Sequence, residues 1–326
     1  MKAVVINEFG SSEVLQLKEI PKPEPKPDEI LIKVIYTSVN YADVKNRTGN
    51  KAKAEFPMIL GLDAAGIVEK VGASVEKVQP GDRVICFPKR GAYAEYVVAS
   101  DLLTFKIPDQ LDFKIAAACP TVGFLSYKLT HDLAQINQTD TVLVHSAAGG
   151  VGSTIIQMAK LLGAKRIIGT VSSLEKSSLP LELGADDVYT YADFDEKIKE
   201  STDDKGVDII FDSQAGEITK RSMDILSHFG KLIHFGNSSG GIGSFNTKEV
   251  HASCRSVLGF SLGTTRKERP ETLEPVARQL FELITNGKLE IQIGAEFPLE
   301  KIAEAHDLIS SRKSTGKILI RVSRSC

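Results

Sequence analysis

Residues 141–170, TVLVHSAAGGVGSTIIQMAKLLGAKRIIGT, decide the fold. They read as strand, glycine-rich turn, helix and second strand, in about the length that one βαβ unit requires. Thr141 to His145 is a short apolar run of β-formers. The turn Ala147-Ala148-Gly149-Gly150-Val151-Gly152 then opens a helix whose Ile155, Ile156, Met158, Ala159, Leu161 and Leu162 suit packing on a sheet. Glycine at 149 lets backbone approach a pyrophosphate, glycine at 152 lets helix and strand pack closely, and the free N–H groups of the first helical turn bind phosphate. Ala147 stands where the usual fingerprint has its first glycine. A tight turn without a ligand is the competing reading of the glycines, and the flanking strands argue against it.

The end of the second strand selects the dinucleotide. A NAD site places Asp or Glu about 20 residues past the turn, on the ribose hydroxyls. Here the count reaches Ser172, in Val171-Ser172-Ser173-Leu174-Glu175-Lys176. Two hydroxyls and a lysine favour a 2′-phosphate that a carboxylate would repel, so NADPH is the expected cofactor. Glu175 would point away in a helix beginning at Ser173, whose hydroxyl also suits a helix cap.

The chain has 326 residues, 42% hydrophobic content and a formal net charge of −2. That length and composition support two domains with real cores. The near-neutral charge gives no reason to expect nucleic acid or an anionic membrane as main partner. Met1 to Gly10 lacks an apolar signal region, and no apolar run approaches a membrane span. Cys86, Cys119, Cys254 and Cys326 are scattered without a Cys-x-x-Cys pair, as for free thiols in a reducing compartment, and a cytoplasmic protein is expected.

Before the βαβ unit, short β-rich runs lie at Ala3–Ile6, Val14–Glu19, Glu29–Tyr36, Ala65–Val71, Arg83–Cys86 and Ala94–Val98, the pattern of an antiparallel barrel-like domain. The proline-rich Pro21–Pro27 segment reads as a stiff loop. After the unit, helices near Leu174–Leu183, Phe194–Ser201 and Ile218–Ser227 alternate with strands at Asp187–Tyr191, Val207–Asp212, Lys231–Phe235 and Ser256–Leu262, completing a six-stranded doubly wound sheet. A helix at Leu273–Thr285 follows. A last helix and the strand Lys317–Val322 are expected to return to the first domain. Ligands of such sheets lie beyond the carboxyl ends of the strands, which singles out Tyr191, Asp212-Ser213 and Phe235 to Gly241, the last also readable as an ordinary loop. The six histidines show no metal-ligand spacing with one another or with a cysteine. His145 reads as a buried structural histidine at a strand end.

Val39-Asn40-Tyr41-Ala42-Asp43, Gly61-Leu62-Asp63-Ala64-Ala65-Gly66, Gly81-Asp82-Arg83-Val84, Gly91-Ala92-Tyr93-Ala94-Glu95-Tyr96, the turn at 147–152 and Phe235-Gly236-Asn237-Ser238-Ser239-Gly240 together resemble the medium-chain dehydrogenase/reductase superfamily, and within it the zinc-independent, zeta-crystallin-like quinone oxidoreductases. The resemblance covers essentially the whole chain. It implies a GroES-like β-barrel domain over 1–120 and 295–326 and a Rossmann NADPH domain over 121–294. In the zinc-dependent branch a cysteine occupies the neighbourhood of Asn40, and Gly-His-Glu stands where this chain has Gly61-Leu62-Asp63, so the resemblance implies no metal. Without a Lewis acid the acceptor must itself be electrophilic, a quinone or an α,β-unsaturated carbonyl.

By the same resemblance, 2′-phosphate and adenosine contacts fall on Ser172, Ser173, Lys176, Tyr191 and Arg312. Nicotinamide and phosphate contacts fall on Val151, Gly152, Ser213, Phe235, Gly236, Asn237, Ser238 and Leu262, with Lys128 a weaker candidate. Arg312 also reads as a solvated charge beside Lys313. Asn40 and Asp43 fit the acceptor pocket, Asn40 as hydrogen-bond donor and Asp43 as organiser of the loop or ribose ligand. Relatives often carry tyrosines where this chain has Lys45 and Asn50-Lys51, and a threonine near Leu125. A homodimer or homotetramer is implied, with the strand at Ser256–Leu262 pairing across a two-fold axis. The expectation is an NADPH-dependent quinone reductase; an enoyl or alkenal reductase and a non-catalytic NADPH- or RNA-binding protein are the alternatives.

Overall fold

The computed structural model describes residues 1–50 and 55–323; Lys51 and Cys326 lie outside them. The chain divides into two units. The first takes Met1–Phe124, Thr265–Gly287 and Ile291–Cys326, and the second Leu125–Thr264 with Lys288–Glu290.

The first unit is built on short strands: β1 (Lys2–Ile6), β2 (Gln16–Glu19), β3 (Glu29–Val39), β4 (Met58–Ile59), β5 (Ala64–Val71), β6 (Arg83–Cys86), β7 (Tyr96–Ser100) and β8 (Thr104–Lys106). Two strands from the far end of the chain join them, Ile293–Pro298 and Lys317–Arg321, numbered β15 and β16 after the six of the second unit. β1 lies between β2 and β4, and the larger sheet runs β15-β16-β3-β5-β6-β8 with β7 also on β3. Pairing is antiparallel except between β15 and β16. Alternation along β3 sends Ile30, Ile32 and Val34 into one core with Val68, Val84 and Val97. A second core joins Val4, Ile6, Val39 and Tyr93 to Ile302, Ile318 and Ile320.

Several sequence boundaries shift here. The strand expected from Val14 begins at Gln16, because Val14 and Leu15 bond back to Ser11 and Ser12 in a tight turn. The one expected from Ala94 begins at Tyr96, since Ala94 N–H turns back onto the Ala92 carbonyl. Helices α1 (Tyr41–Arg47) and α2 (Phe113–Tyr127) and strand β15 carried no expectation. Pro120 inside α2 disguises its helical pattern.

The second unit holds β9 (Thr141–Val144), β10 (Arg166–Val171), β11 (Asp187–Thr190), β12 (Val207–Asp212), β13 (Leu226–His234) and β14 (Ser256–Gly259), all parallel, in the order β11-β10-β9-β12-β13-β14. This is the doubly wound order whose direction reverses between β9 and β12, so ligands are expected at the carboxyl ends there. The interleaved helices are α3 (Gly150–Leu161), α4 (Ser178–Leu183), α5 (Phe194–Ser201), α6 (Glu217–Asp224) and α7 (Thr247–Ala252). Further along come α8 (Leu262–Glu268), α9 (Glu274–Thr285) and α10 (Ile302–Ser310). Ile155, Ile156, Met158 and Ala159 of α3 are buried as their spacing predicts, while Leu161 is 46% exposed at its end.

Several elements differ from their sequence reading, among them β13, expected over Lys231–Phe235 and running Leu226–His234. The helix expected over 174–183 is a 3₁₀ turn at Leu174–Lys176 followed by α4. The helix expected to reach Ser227 ends at Asp224, because β13 starts at Leu226 beside Val207. The strand expected to reach Leu262 ends at Gly259: Ser261 Oγ accepts the Thr264 N–H at 3.2 Å and starts α8 instead.

Candidate functional site: a dinucleotide turn and a buried polar cluster

After β9 the chain passes His145 and enters the left-handed region at Ser146, with φ 57°. Ala147 N–H bonds the Thr170 carbonyl of β10 at 2.9 Å, Gly149 N–H bonds the Ser146 carbonyl at 2.9 Å, and α3 begins at Gly150 with no side-chain cap. The N–H groups of Gly150, Val151 and Gly152 open the helix without intrahelical partners. A Cβ on Gly149 would meet only the Ser146 oxygen, at 3.3 Å, which leaves that face of the turn open. One on Gly152 would lie 2.2 Å from the same backbone oxygen, so only glycine fits. The missing first glycine also has a physical account. A Cβ on Gly169 of β10 would lie 2.7 Å from the Ala147 methyl, so the strand supplies the space that the turn gave up.

Side chains from two strand ends converge on Ser146. Tyr191, following β11, accepts the Ser146 N–H at 2.8 Å; Ser213 Oγ, following β12, lies 2.9 Å from Ser146 Oγ, to which Gln214 Nε2 also donates. Sequence reasoning found Tyr191 and Ser213 but missed Ser146 and Gln214, whose only signal was their place at strand ends. Ser238 donates to the Ser213 carbonyl through both N–H and Oγ, at 3.0 Å each, and a Cβ on Gly236 would press that carbonyl at 3.0 Å. Phe235 N–H bonds the Asp212 carbonyl, and Asn237 Oδ1 accepts the Gly240 N–H. The Phe235–Ser238 segment is thus held on the end of β12.

Buried Asp212 braces this region by accepting N–H groups of Gln214 and Ala215 and the Thr219 hydroxyl, with His234 Nδ1 at 3.2 Å. Burial acts to raise its pKa, but His234, His145, Thr219 and the Ala215 N–H outweigh it and hold the carboxyl well below its usual range. His145 bridges Thr170 Oγ1 and Ser222 Oγ, each at 2.8 Å, and burial lowers it to about 4. It is a neutral structural histidine.

Ser172, Ser173 and Lys176 follow β10 as expected, and the Ser173 hydroxyl accepts the Glu175 N–H at 3.4 Å. Glu175 is exposed, and partial burial lowers the Lys176 pKa. Lys128 lies on a π-helical turn, Lys128–Ala134, paired with Asp132 at 2.8 Å. Leu262 opens α8 with its side chain buried. Arg312 follows α10 in the first unit, exposed and at φ 57°.

In the first unit, Asn40 caps α1 in a reciprocal capping box with Asp43. Asp43 accepts the Asn40 N–H at 2.9 Å and the Gly61 N–H at 3.2 Å, and is fully buried. Burial pushes its pKa up to about 6 against the pull of the Asn40 N–H, and the charge of Asp63 adds to the rise. Around this pair stand groups that sequence reasoning missed. Asp63, fully buried, accepts the Ser38 hydroxyl at 2.5 Å and the Thr121 N–H at 3.1 Å. Lys317, also buried, donates to Asn40 Oδ1 at 2.7 Å. Tyr93 OH lies 3.1 Å from His306 Nε2. The signal for Lys317 was a cation opening the otherwise apolar strand Lys-Ile-Leu-Ile. Lys45 lies 5.9 Å over the Tyr41 ring, and Leu125 is buried. Among the described residues no group of three or more His, Cys, Asp and Glu side chains could hold a metal ion, and no helix is long and apolar enough to cross a membrane.

Comparison with known proteins matches residues 26–109 to the alcohol dehydrogenase GroES-like domain and 150–279 to the family described as zinc-binding dehydrogenase. The human quinone oxidoreductase is 35% identical over 326 residues, covering 98% of this chain and 97% of that protein. That of Pseudomonas aeruginosa is 33% identical, with 98% and 99% covered. Among solved structures, Escherichia coli quinone oxidoreductase complexed with NADPH superposes with a TM-score of 0.93 at 32% identity, covering 99% of this chain and all of the other. A mycobacterial protein complexed with NADPH gives 0.92 at 31% identity. A nucleotide turn on a doubly wound sheet, joined to a GroES-like antiparallel unit, defines the architecture of a medium-chain dehydrogenase/reductase. Within that superfamily the chain belongs to the quinone oxidoreductase family.

Proposed function

We propose that this protein is an NADPH-dependent quinone oxidoreductase, acting on quinones or similarly electrophilic carbonyl compounds. The observation that carries the reading is the doubly wound sheet with its glycine turn at 149–152, followed at the end of β10 by Ser172, Ser173 and Lys176 with no carboxylate at Ser172. The NADPH complexes of the similar E. coli and mycobacterial proteins support it. When bound, NADPH supplies the hydride. The first-turn N–H groups of α3 hold the pyrophosphate, and Ser172, Ser173 and Lys176, with Arg312, hold the 2′-phosphate. Tyr191 contributes at the adenosine side. Ser213, Phe235, Gly236, Asn237, Ser238 and Leu262 position the nicotinamide half. Lys128 is the weaker cofactor candidate because Asp132 already compensates its charge. Asn40 donates to the acceptor oxygen that gains charge, while Asp43 fixes the loop that carries Asn40.

We assign residues 1–120 and 295–326 to the acceptor and 121–294 to the cofactor, although Thr265–Gly287 group with the first unit. We place the protein in the cytoplasm as a homodimer or homotetramer in which β14, the outermost strand of its sheet, pairs with its counterpart. Sedimentation velocity tests that: a monomer refutes it.

Loss of absorbance at 340 nm is measured with NADPH or NADH against a simple quinone and an enone. Fast oxidation of NADPH by the quinone, unaffected by chelator, is expected. Lys176→Ala and Arg312→Ala together raise KM for NADPH about tenfold or more, the scale of charge-assisted phosphate contacts, and leave KM for NADH nearly unchanged. Turnover with the enone alone replaces the reading with an enone reductase, and binding without turnover with a non-catalytic NADPH protein.

A further inference from the structure

Asn40 is locked by charge, and the lock has one orientation. Its Oδ1 accepts from the Lys317 ammonium at 2.7 Å, and its Nδ2 faces Ser38 Oγ and both carboxylate oxygens of Asp63, each at 3.4 Å. Turning the amide over would set NH2 against an ammonium and oxygen against a carboxylate, two repulsions in a region where Asn40, Lys317 and Asp63 are 7%, 4% and 0% exposed.

The two sides of the lock are unequal. The bond from Lys317 is short and charge-assisted, and the Lys317 backbone is itself pinned by its N–H on the Gln292 carbonyl at 2.7 Å. On the other side, Asp63 is already engaged at shorter range by Ser38 Oγ and Thr121 N–H. The 3.4 Å contacts of Nδ2, two to the Asp63 carboxylate and one to the Ser38 hydroxyl, are long for hydrogen bonds. The carboxamide therefore keeps donor capacity at Nδ2 while its oxygen is held by the ammonium.

We infer that Lys317 is a positioning residue for the reaction: its ammonium orients the Asn40 carboxamide and, by drawing electron density toward Oδ1, strengthens the Nδ2 hydrogens as donors to the acceptor oxygen. A charged donor on an amide oxygen polarises the whole amide, and hydrogen bonds in such a chain reinforce one another where water is excluded. The effect grows as negative charge develops on the acceptor, so it acts on kcat more than on KM. Lys317 itself touches Asn40 Oδ1 and the Val39 carbonyl, at 3.3 Å.

The inference rests on the proposed contact of Asn40 with the acceptor, and steady-state kinetics with a simple quinone separate the two. Asn40→Ala alone tests the contact: undiminished kcat refutes it, and the inference with it. If Asn40→Ala lowers kcat, Lys317→Met is expected to lower it about tenfold or more with KM for NADPH nearly unchanged, and the double variant to be no worse than the weaker single. Lys317→Arg restores part of the loss. A kcat within twofold of native in Lys317→Met, or losses that multiply in the double variant, overturns the inference and leaves the Asn40 contact standing. Should Lys317→Met fail to fold by circular dichroism, Lys317→Gln keeps a donor on Asn40 without the charge. It is expected to lose about threefold or more in kcat, and native kcat there also overturns the inference.

Discussion

The methyl group of Ala147 occupies space that a glycine at that position would leave empty, and Gly169 on the neighbouring strand makes room for it. Gly169→Ala is therefore expected to destabilise the protein by about 1–3 kcal/mol, the range of an overpacked core, and to weaken NADPH binding. Adding Ala147→Gly recovers both in urea melts and cofactor titrations. Asp43 behaves in a way set by charge rather than volume. Its folded pKa of about 6 lies above the ordinary 3.8, so the fold favours the protonated form. The stability this gives is present below the unfolded pKa and lost as pH rises through the folded one. Asp43→Asn cannot titrate, so its stability relative to the native chain is expected to rise by up to about 3 kcal/mol between pH 4 and 7. His145 and His306, lowered by burial to about 4 and about 3, run the opposite way. They do so equally in both proteins and cancel in the comparison. Parallel denaturant titrations at pH 4.5, 6 and 7.5 measure the difference, and a pH-independent difference refutes the assignment.

At the scale of elements, legibility in the sequence followed local signals. β10, α5 and β12 have their periodicity, turn residues and packing in agreement, and the helical turn at 149–152 carries its own glycines. Where two signals compete, the boundary moved: Ser227 continues a helical pattern, yet β13 takes over at Leu226 because a partner strand pairs there. Ser261 ends a strand by capping a helix, a contest between two local preferences that apolar patterning does not register. α1 was legible in principle, since Asn40 and Asp43 have the spacing of a capping box. The candidate site divides along the same line. Residues of the glycine turn and the strand ends were readable because topology sends strand ends toward ligands. Asp63 and Lys317 were not, because their roles arise from pairing between separate segments: Asp63 meets Ser38, Asn40 and Thr121 from 23 to 58 residues away, and Lys317 meets Asn40 across 277. No window of sequence contains both.

For the whole molecule, two units with separate hydrophobic cores are expected to give two overlapping transitions in calorimetry. NADPH at about 100 times its Kd adds about 2.7 kcal/mol to whatever binds it, so the transition of the sheet unit moves up with cofactor. A single transition that shifts as one refutes independent unfolding. The pairing of β16 with β3 has a different kind of consequence, one of timing. During synthesis the sheet unit, continuous over Leu125–Thr264 apart from three residues, emerges as nearly complete information for its own fold. The first unit begins to emerge earlier yet waits, because β3 lacks its β16 neighbour and Asn40 lacks Lys317 until β16 leaves the ribosome. A chain stalled shortly before that point would carry an assembled sheet unit and an unfinished first unit, so the completion of that unit is tied to the arrival of β16.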